Sequence, residues 1–148
     1  MGKEMKIVSW RIIDVVKELG LVDGEYTVIG SAILEVLGIR KAEDVDIVFS
    51  RGLYKKLRQS EGWEEFYFDE GKNEQGIRHQ GGEVNGFWYC PRVGLDENTV
   101  REMMDRAIDL DGVKFVSLED TMKYKGRMGR EKDLRDIEPI KQYMEEKI

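Results

Sequence analysis

The chain has few of the residues that build disulfide frameworks or histidine-based metal centres. It has one cysteine, Cys90, and one histidine, His79, among 148 residues. A single cysteine excludes an internal disulfide and is typical of proteins from a reducing cytoplasm. Because His79 has no cysteine or histidine at the spacing of a zinc site, we expect it to bind no metal.

Long apolar runs are also missing. No run approaches the ~20 residues that a transmembrane helix needs. The first ten residues, MGKEMKIVSW, lack the apolar core of a signal peptide. The sequence therefore predicts a soluble, cytoplasmic protein that has no membrane partner.

The chain has no excess of positive charge. It carries 24 basic and 30 acidic residues, which gives a net charge of −6. A protein that coats DNA must neutralise many phosphates, so the composition argues against that class and leaves room only for a local basic patch near the C-terminus. At this length, residues 1–148 most economically form one domain.

Hydrophobic periodicity predicts that helices and strands alternate in the first part of the chain, and that a group of strands and then a group of helices follow. A C-terminal helical segment over about residues 117–146 begins with a helix that opens with the capping pattern SLED. Its final helical region, from about residue 130 to residue 144, is expected to be interrupted or bent near Pro139. The order indicates an α/β or α+β domain with a mixed sheet, in which the later strands pair antiparallel. The other predicted helices cover residues 9–19, 31–38, 53–63 and 96–108, and the predicted strands cover 25–30, 44–49, 66–68, 76–80, 83–89 and 112–117.

Two short motifs carry the candidate chemistry. Gly30 and Ser31 end a predicted strand and begin a helix, where free backbone N–H groups and a hydroxyl favour phosphate. Asp44 and Asp46 lie two apart on the next predicted strand, so they point to one face. Adjacent carboxylates repel unless a cation lies between them, and Mg²⁺ is the natural occupant. A solvated strand face is the alternative for the acid pair, and an ordinary turn is the alternative for Gly30-Ser31.

Gly30-Ser31, twelve intervening residues and Asp44-Val45-Asp46 resemble the signature of the nucleotidyltransferase superfamily. Within it, the chain is similar to small stand-alone proteins that include the AbiEii-type toxins. Their C-terminal helical segment, in which a lysine precedes a Gly-Arg-x-Lys-Asp-Leu-x-Asp run, resembles residues 118–140. The matching positions are Lys125, Gly129, Arg130, Lys132, Asp133, Leu134 and Asp136.

The resemblance implies a mixed sheet flanked by helices, an NTP donor and two Mg²⁺ ions held by three carboxylates. Asp44 and Asp46 would bind both ions, and Glu83 would be the third ligand or the general base. Asn85, two residues further along, is the alternative occupant of the third position. An amide there would weaken one metal site and remove the base.

Gly30 and Ser31 would hold the β- and γ-phosphates, and one or two of Lys125, Arg130 and Lys132 would reach the triphosphate or orient the acids. These cations could instead form a solvated helical face, or contact an RNA acceptor. Lys132 and Asp133 are the best candidates for an ion pair that joins the last helix to the sheet.

The expected function is Mg²⁺-dependent transfer of a nucleoside monophosphate from an NTP to an acceptor hydroxyl. The acceptor could belong to an RNA, a protein or a small molecule. Because 148 residues leave little room for an acceptor-binding domain, a homodimer or a partner subunit could supply one. The alternatives are a catalytically degenerate domain that binds a nucleotide or a partner, and a scaffold whose acids are solvated. The resemblance alone suggests a toxin-antitoxin role.

Overall fold

A computed structural model of the chain describes residues 5–67, 75–88 and 96–146. Seven strands in these ranges form one sheet. They are β1 (Tyr26–Ile29), β2 (Val45–Phe49), β3 (Trp63–Tyr67), β4 (Gln75–His79), β5 (Val84–Phe87), β6 (Ile108–Leu110) and β7 (Val113–Phe115).

The sheet is mixed, with the order β3-β4-β5-β2-β1-β7-β6. At its centre, β2 pairs antiparallel with β1 and parallel with β5. The strands β3, β4 and β5 pair antiparallel, which confirms the sequence prediction for that region. The predicted mixed α/β class is also confirmed, because helices cover the sheet.

Six helices accompany these strands, and none of the described helices is long and apolar enough to cross a bilayer. The segment predicted to be helical, residues 117–146, contains the last two, which are joined at Gly129 in the left-handed conformation (φ 65°). The helices are α1 (Arg11–Glu18), α2 (Ala32–Val36), α3 (Arg51–Arg58), α4 (Glu97–Asp105), α5 (Leu118–Met128) and α6 (Glu131–Glu146).

Each face of the sheet has its own apolar core. The larger core packs α1, α2 and α3 against the face that carries Val28, Ile47 and Phe115. The smaller core packs α4 against the opposite face, which carries Ile29 and Val48. Since Asp46 lies two residues before Val48, it is on the face of the smaller core, where the sheet meets α5.

Local chemistry explains most helix starts. Ser117 begins α5 as the SLED pattern predicts, because its hydroxyl accepts a hydrogen bond from the amide of Asp120 (3.1 Å). Ser50 caps α3 and Asp96 caps α4 in the same way. In contrast, α1 begins after Trp10 without a side-chain cap, two residues later than the predicted start of this helix.

Three predictions about the helices are wrong. The last helix is not interrupted at Pro139. The predicted helix over residues 53–63 runs instead from Arg51 to Arg58, and Trp63 begins a strand, β3. The predicted helix over residues 96–108 ends at Asp105, and a strand, β6, begins at Ile108. Phe68, Tyr89 and Cys90, which belonged to the predicted strands or followed them, lie outside the described residues.

Candidate functional site

The turn between β1 and α2 places a glycine directly against Asp46. Gly30 is buried and has φ 75°, a conformation that side chains disfavour. A Cβ atom at this position would lie 3.4 Å from Oδ2 of Asp46. Glycine therefore allows the chain to turn beside this carboxylate and leaves space next to it.

The hydroxyl of Ser31 is held by two cations. It accepts hydrogen bonds from Nζ of Lys125 (3.0 Å) and from Nη2 of Arg40 (2.7 Å). A hydroxyl has two acceptor lone pairs and one proton. Since both lone pairs are used by these cations, the proton of Ser31 is available for donation to a third group. Ser31 does not cap α2 with its side chain.

Asp44 and Asp46 lie at the start of the central strand. Asp44 is exposed just before β2, and Asp46 is half-buried within it. Burial raises the pKa of Asp46 above its usual value, and repulsion from Asp44 adds to this effect. A hydrogen bond from Asn85, and the charges of Arg130 and Lys125, act in the opposite direction but do not cancel the rise. The negative charge of Asp46 is therefore only partly compensated by the protein.

The strand register places Asn85 opposite Asp46. Its Nδ2 donates to Oδ1 of Asp46 (3.4 Å), and its Oδ1 accepts from Nε of Arg78 (3.1 Å). The side chain of Glu83 instead forms an ion pair with Arg11. Among the described residues, no group of three or more His, Cys, Asp or Glu side chains is arranged to hold a metal ion. The residue opposite Asp46 is thus an amide, and the side chain of Glu83 is engaged by Arg11.

Arg11 fixes the segment that leads into Asp44. It donates to both oxygens of the buried Glu35 (2.9 and 2.8 Å) and to the carbonyl of Ala42 (3.1 Å). Glu35 in turn accepts from the amide of Ala42 (3.0 Å). The hydrogen bonds from Arg11 lower the pKa of Glu35 despite its burial, so this carboxylate stays ionised and keeps Ala42 in place.

A buried ion network forms the opposite wall of the site. Lys125 is 2% exposed, and its Nζ lies 2.8 Å from Oδ2 of Asp136. Arg40 donates to both oxygens of Asp136 (2.6 and 2.6 Å). Burial opposes ionisation of Asp136, but the hydrogen bonds from Arg40 and Lys125 outweigh it and hold its pKa below the usual value. Sequence reasoning missed Arg40, although its place between the two motifs was a usable signal.

Asp133 is held by a different cation from the one the sequence predicted. It accepts two hydrogen bonds from Arg130 (2.6 and 3.2 Å), and one of its oxygens lies 4.0 Å from Nζ of Lys125. The predicted Lys132–Asp133 ion pair is therefore wrong. Lys132 and Arg135 are exposed, and neither forms an ion pair within the part of the chain that the structure describes.

These elements enclose a cavity of about 450 Å³. It brings together seven of the eight predicted site residues, and the exception is Glu83, which lies outside the lining. Among the described residues, its lining contains five cationic and five acidic side chains. The lining residues are Gly30, Ser31, Arg40, Glu43, Asp44, Asp46, Tyr124, Lys125, Arg130, Lys132, Asp133, Arg135, Asp136 and Pro139.

Comparisons with known proteins return little. No family model and no curated protein matches the chain. Among solved structures, the chain is similar to the Megavirus polyadenylate synthase, with 13% identity and a TM-score of 0.38. The match covers 95% of this chain and 34% of that one, so the chain spans about a third of that protein's length. A structural similarity this weak supports no inference about the function of the chain.

Proposed function

We propose that the cavity binds a nucleoside triphosphate together with Mg²⁺, and that the protein transfers the nucleoside monophosphate to an acceptor hydroxyl. The observation that carries the proposal is the division of charge within one cavity. Asp44 and Asp46 form one wall, and neither forms an ion pair with a cation of the described residues. Lys125, Arg40 and Arg130 form the other wall, where Asp136 and Asp133 hold them in place. A metal-bound polyphosphate has the charge pattern that complements this arrangement.

The phosphate-binding wall would use donors that are already oriented. The Ser31 hydroxyl has a proton to donate because Arg40 and Lys125 occupy its lone pairs. Gly30 has no side chain to block the approach of a phosphate oxygen. Lys132, exposed at the rim, would supply a further positive charge. Donors fixed in this way stabilise charge without reorganising during the reaction.

The acidic wall fits a hard divalent cation. Asp44 and Asp46 offer carboxylate oxygens, the ligand type that Mg²⁺ prefers. Burial is the main cause of the raised pKa of Asp46, and the charges of Arg130 and Lys125 do not offset it, so a cation beside this carboxylate would favour its ionised form. When bound, Mg²⁺ would neutralise charge on the phosphate oxygens. Asp44 and Asp46 would hold it, and the donors around Ser31 would orient the phosphate chain.

In the proposed reaction, the acceptor oxygen forms a bond to the α-phosphorus. The bond from that phosphorus to the bridging oxygen breaks, and pyrophosphate leaves with the electron pair. The acceptor proton passes to solvent, because Asn85, opposite Asp46, cannot accept a proton at neutral pH. This chain would therefore rely on positioning and charge stabilisation rather than on a carboxylate base.

Asn85 also favours a second candidate, which is nucleotide binding without transfer. With an amide opposite Asp46 and Glu83 paired to Arg11, no third carboxylate joins Asp44 and Asp46 in a metal-binding group among the described residues. The substitution Asn85→Asp would separate the two candidates. Transfer that appears only in this variant would identify the natural protein as a binding domain.

The test of the proposal is calorimetric titration with a panel of NTPs, with and without Mg²⁺. We expect binding that requires Mg²⁺ and is lost in Asp44→Asn/Asp46→Asn. The control is Glu138→Gln, which removes an exposed acid of α6 that does not line the cavity. Transfer would then be followed with NTP labelled at the α-phosphate, using RNA, protein and small-molecule acceptors. Equal, negligible heats for all three proteins would contradict the proposal.

A further inference from the structure

The carboxylate of Asp136 occupies the donors that the proposed function assigns to phosphate. Its two oxygens accept from Arg40 at 2.6 Å each, and Oδ2 also lies 2.8 Å from Nζ of Lys125. The same two cations hold the hydroxyl of Ser31. Asp136 is 5% exposed, so its charge is screened little by solvent.

Asp133 acts on the neighbouring cation in the same way. It is 3% exposed and binds Arg130 through both of its oxygens. A carboxylate oxygen and a phosphate oxygen accept the same charge-assisted hydrogen bonds from guanidinium and ammonium groups. The two carboxylates of α6 therefore act on these cations as a bound phosphate would.

A consequence follows for the charge of the whole cavity. Its lining contains as many acidic as cationic side chains among the described residues. Without a divalent ion, Asp136 and Asp133 offset the charge of the cations to which they are paired, which are the ones that would hold a polyphosphate. A divalent ion on Asp44 and Asp46 would make the lining positive and so favour the same ligand.

We propose that Asp136, together with Asp133, makes nucleotide binding depend on the divalent cation. The two carboxylates neutralise Arg40, Lys125 and Arg130 strongly enough that a metal-free polyphosphate is rejected. A metal-bound polyphosphate is accepted because it brings the missing positive charge. Asp136 is thus a specificity-determining residue, and this inference rests on the proposed function of the cavity.

The alternative is that the two carboxylates only hold the cations in position. The two roles predict opposite results when one carboxylate becomes an amide. Asn keeps the shape of Asp and one acceptor oxygen but removes the charge. If Asp136 opposes metal-free ligands, its neutralisation increases their binding. If it only positions Arg40 and Lys125, its neutralisation weakens the binding of every ligand.

The experiment is titration with inorganic tripolyphosphate, in EDTA and in Mg²⁺, of the native chain and three variants. Asp136→Asn tests the principal residue. Asp133→Asn leaves the contacts of Asp136 with Arg40 and Lys125 in place. It therefore still tests whether a carboxylate of α6 opposes metal-free ligands if Asp136→Asn does not fold. Glu138→Gln makes the same change of charge at an exposed position of α6 outside the cavity.

We expect the native chain and Glu138→Gln to bind tripolyphosphate only with Mg²⁺. In EDTA, each of the two aspartate variants should bind tripolyphosphate more tightly than the native chain, by a factor of about ten or more, because a buried carboxylate charge has been removed. If the native chain binds with Mg²⁺ but neither variant gains affinity in EDTA, the inference fails and the proposed function stands. If the native chain does not bind even with Mg²⁺, the proposed function fails, and the inference fails with it.

Discussion

At Asp46, the effect of the site on the stability of the metal-free protein can be measured. Its carboxylate is half-buried, receives one long hydrogen bond from Asn85, and lies beside Asp44. Burial raises its pKa above the ordinary value of 3.8. At pH values between 3.8 and the higher pKa that Asp46 has in the folded protein, the folded protein binds more protons than the unfolded chain. Stability contributed by this group therefore falls as pH rises through that window and stays lower above it.

We accordingly expect Asp46→Asn to stabilise the metal-free protein at neutral pH, because the native carboxyl group ionises less readily in the fold than in the unfolded chain. The free energy of unfolding should increase by more than the ~0.5 kcal/mol within which exposed substitutions usually fall. Urea denaturation in EDTA measures the effect. Below pH 3.8 the difference should shrink, because both proteins are then uncharged at this position.

The comparison for this variant is Glu138→Gln, an exposed carboxyl of α6 away from the cavity. It should leave the free energy of unfolding nearly unchanged at both pH values. A loss of stability in Asp46→Asn at neutral pH would show that its charge is well compensated in the fold, and it would weaken the argument for a cation there.

At the scale of elements, the centre of the sheet depends on a close approach between β2 and β5. A Cβ atom at Gly86 of β5 would overlap the ring of Phe49, at the end of β2, at Cε2. Both residues are buried, so the ring has little room to move. We expect Gly86→Ala to destabilise the protein by about 1–3 kcal/mol or more through overpacking.

The matched variant is Gly52→Ala, in the exposed part of α3, where an added Cβ meets no atom within 4 Å. This change should stabilise the helix by roughly 0.5–1 kcal/mol. Urea denaturation of both variants gives the comparison. Equal effects at the two glycines would mean that backbone propensity, and not contact with Phe49, determines the result at Gly86.

The proline inside helix α6 provides a second test at the scale of elements. Pro139 has no N–H group, so the carbonyl of Arg135 loses its intrahelical partner. Pro139→Ala should restore that bond and stabilise the protein by up to ~3 kcal/mol. The variant Glu138→Ala, one residue earlier and exposed, should change the free energy of unfolding much less. An unchanged or lower stability in Pro139→Ala would show that the ring makes compensating contacts at the cavity, which it lines.

The elements also show which parts of the site could be predicted from the sequence. Gly30-Ser31 and Asp44-x-Asp46 were found because their meaning lies in short patterns of turn, strand and side-chain alternation. The contact of Arg40 with Asp136 could not be found in this way, since the two residues are 96 positions apart. The choice between Glu83 and Asn85 depended on strand register and on Arg11, and neither is readable from a local pattern. A three-residue strand such as β6 is too short to show a period.

On the scale of the whole molecule, the cavity joins the two halves of the chain. Part of its lining comes from β1, β2 and the segment between them, and the rest comes from α5 and α6. The link between Lys125 and Ser31 spans 94 positions of sequence. A ligand that contacts both parts of the lining therefore binds the folded chain only, because unfolding separates them.

This arrangement predicts that Mg²⁺ and ATP together stabilise the entire fold. At a concentration 100 times the dissociation constant, the gain is about 2.7 kcal/mol. For a chain of this size, each kcal/mol shifts Tm by about 2–4 °C, so the rise should be roughly 5–10 °C. Thermal melts monitored by far-UV circular dichroism measure it.

ATP in EDTA should leave Tm almost unchanged, because Asp136 and Asp133 pair with the cations that would hold its phosphates. Asp44→Asn/Asp46→Asn should lose the combined effect, since that variant cannot hold the cation. Binding is reciprocal, so ATP must tighten the binding of Mg²⁺ by the same factor by which Mg²⁺ tightens the binding of ATP. A factor of one in both titrations would show that the two ligands bind independently of each other, and a full rise in Tm in the double variant would place ATP outside the cavity.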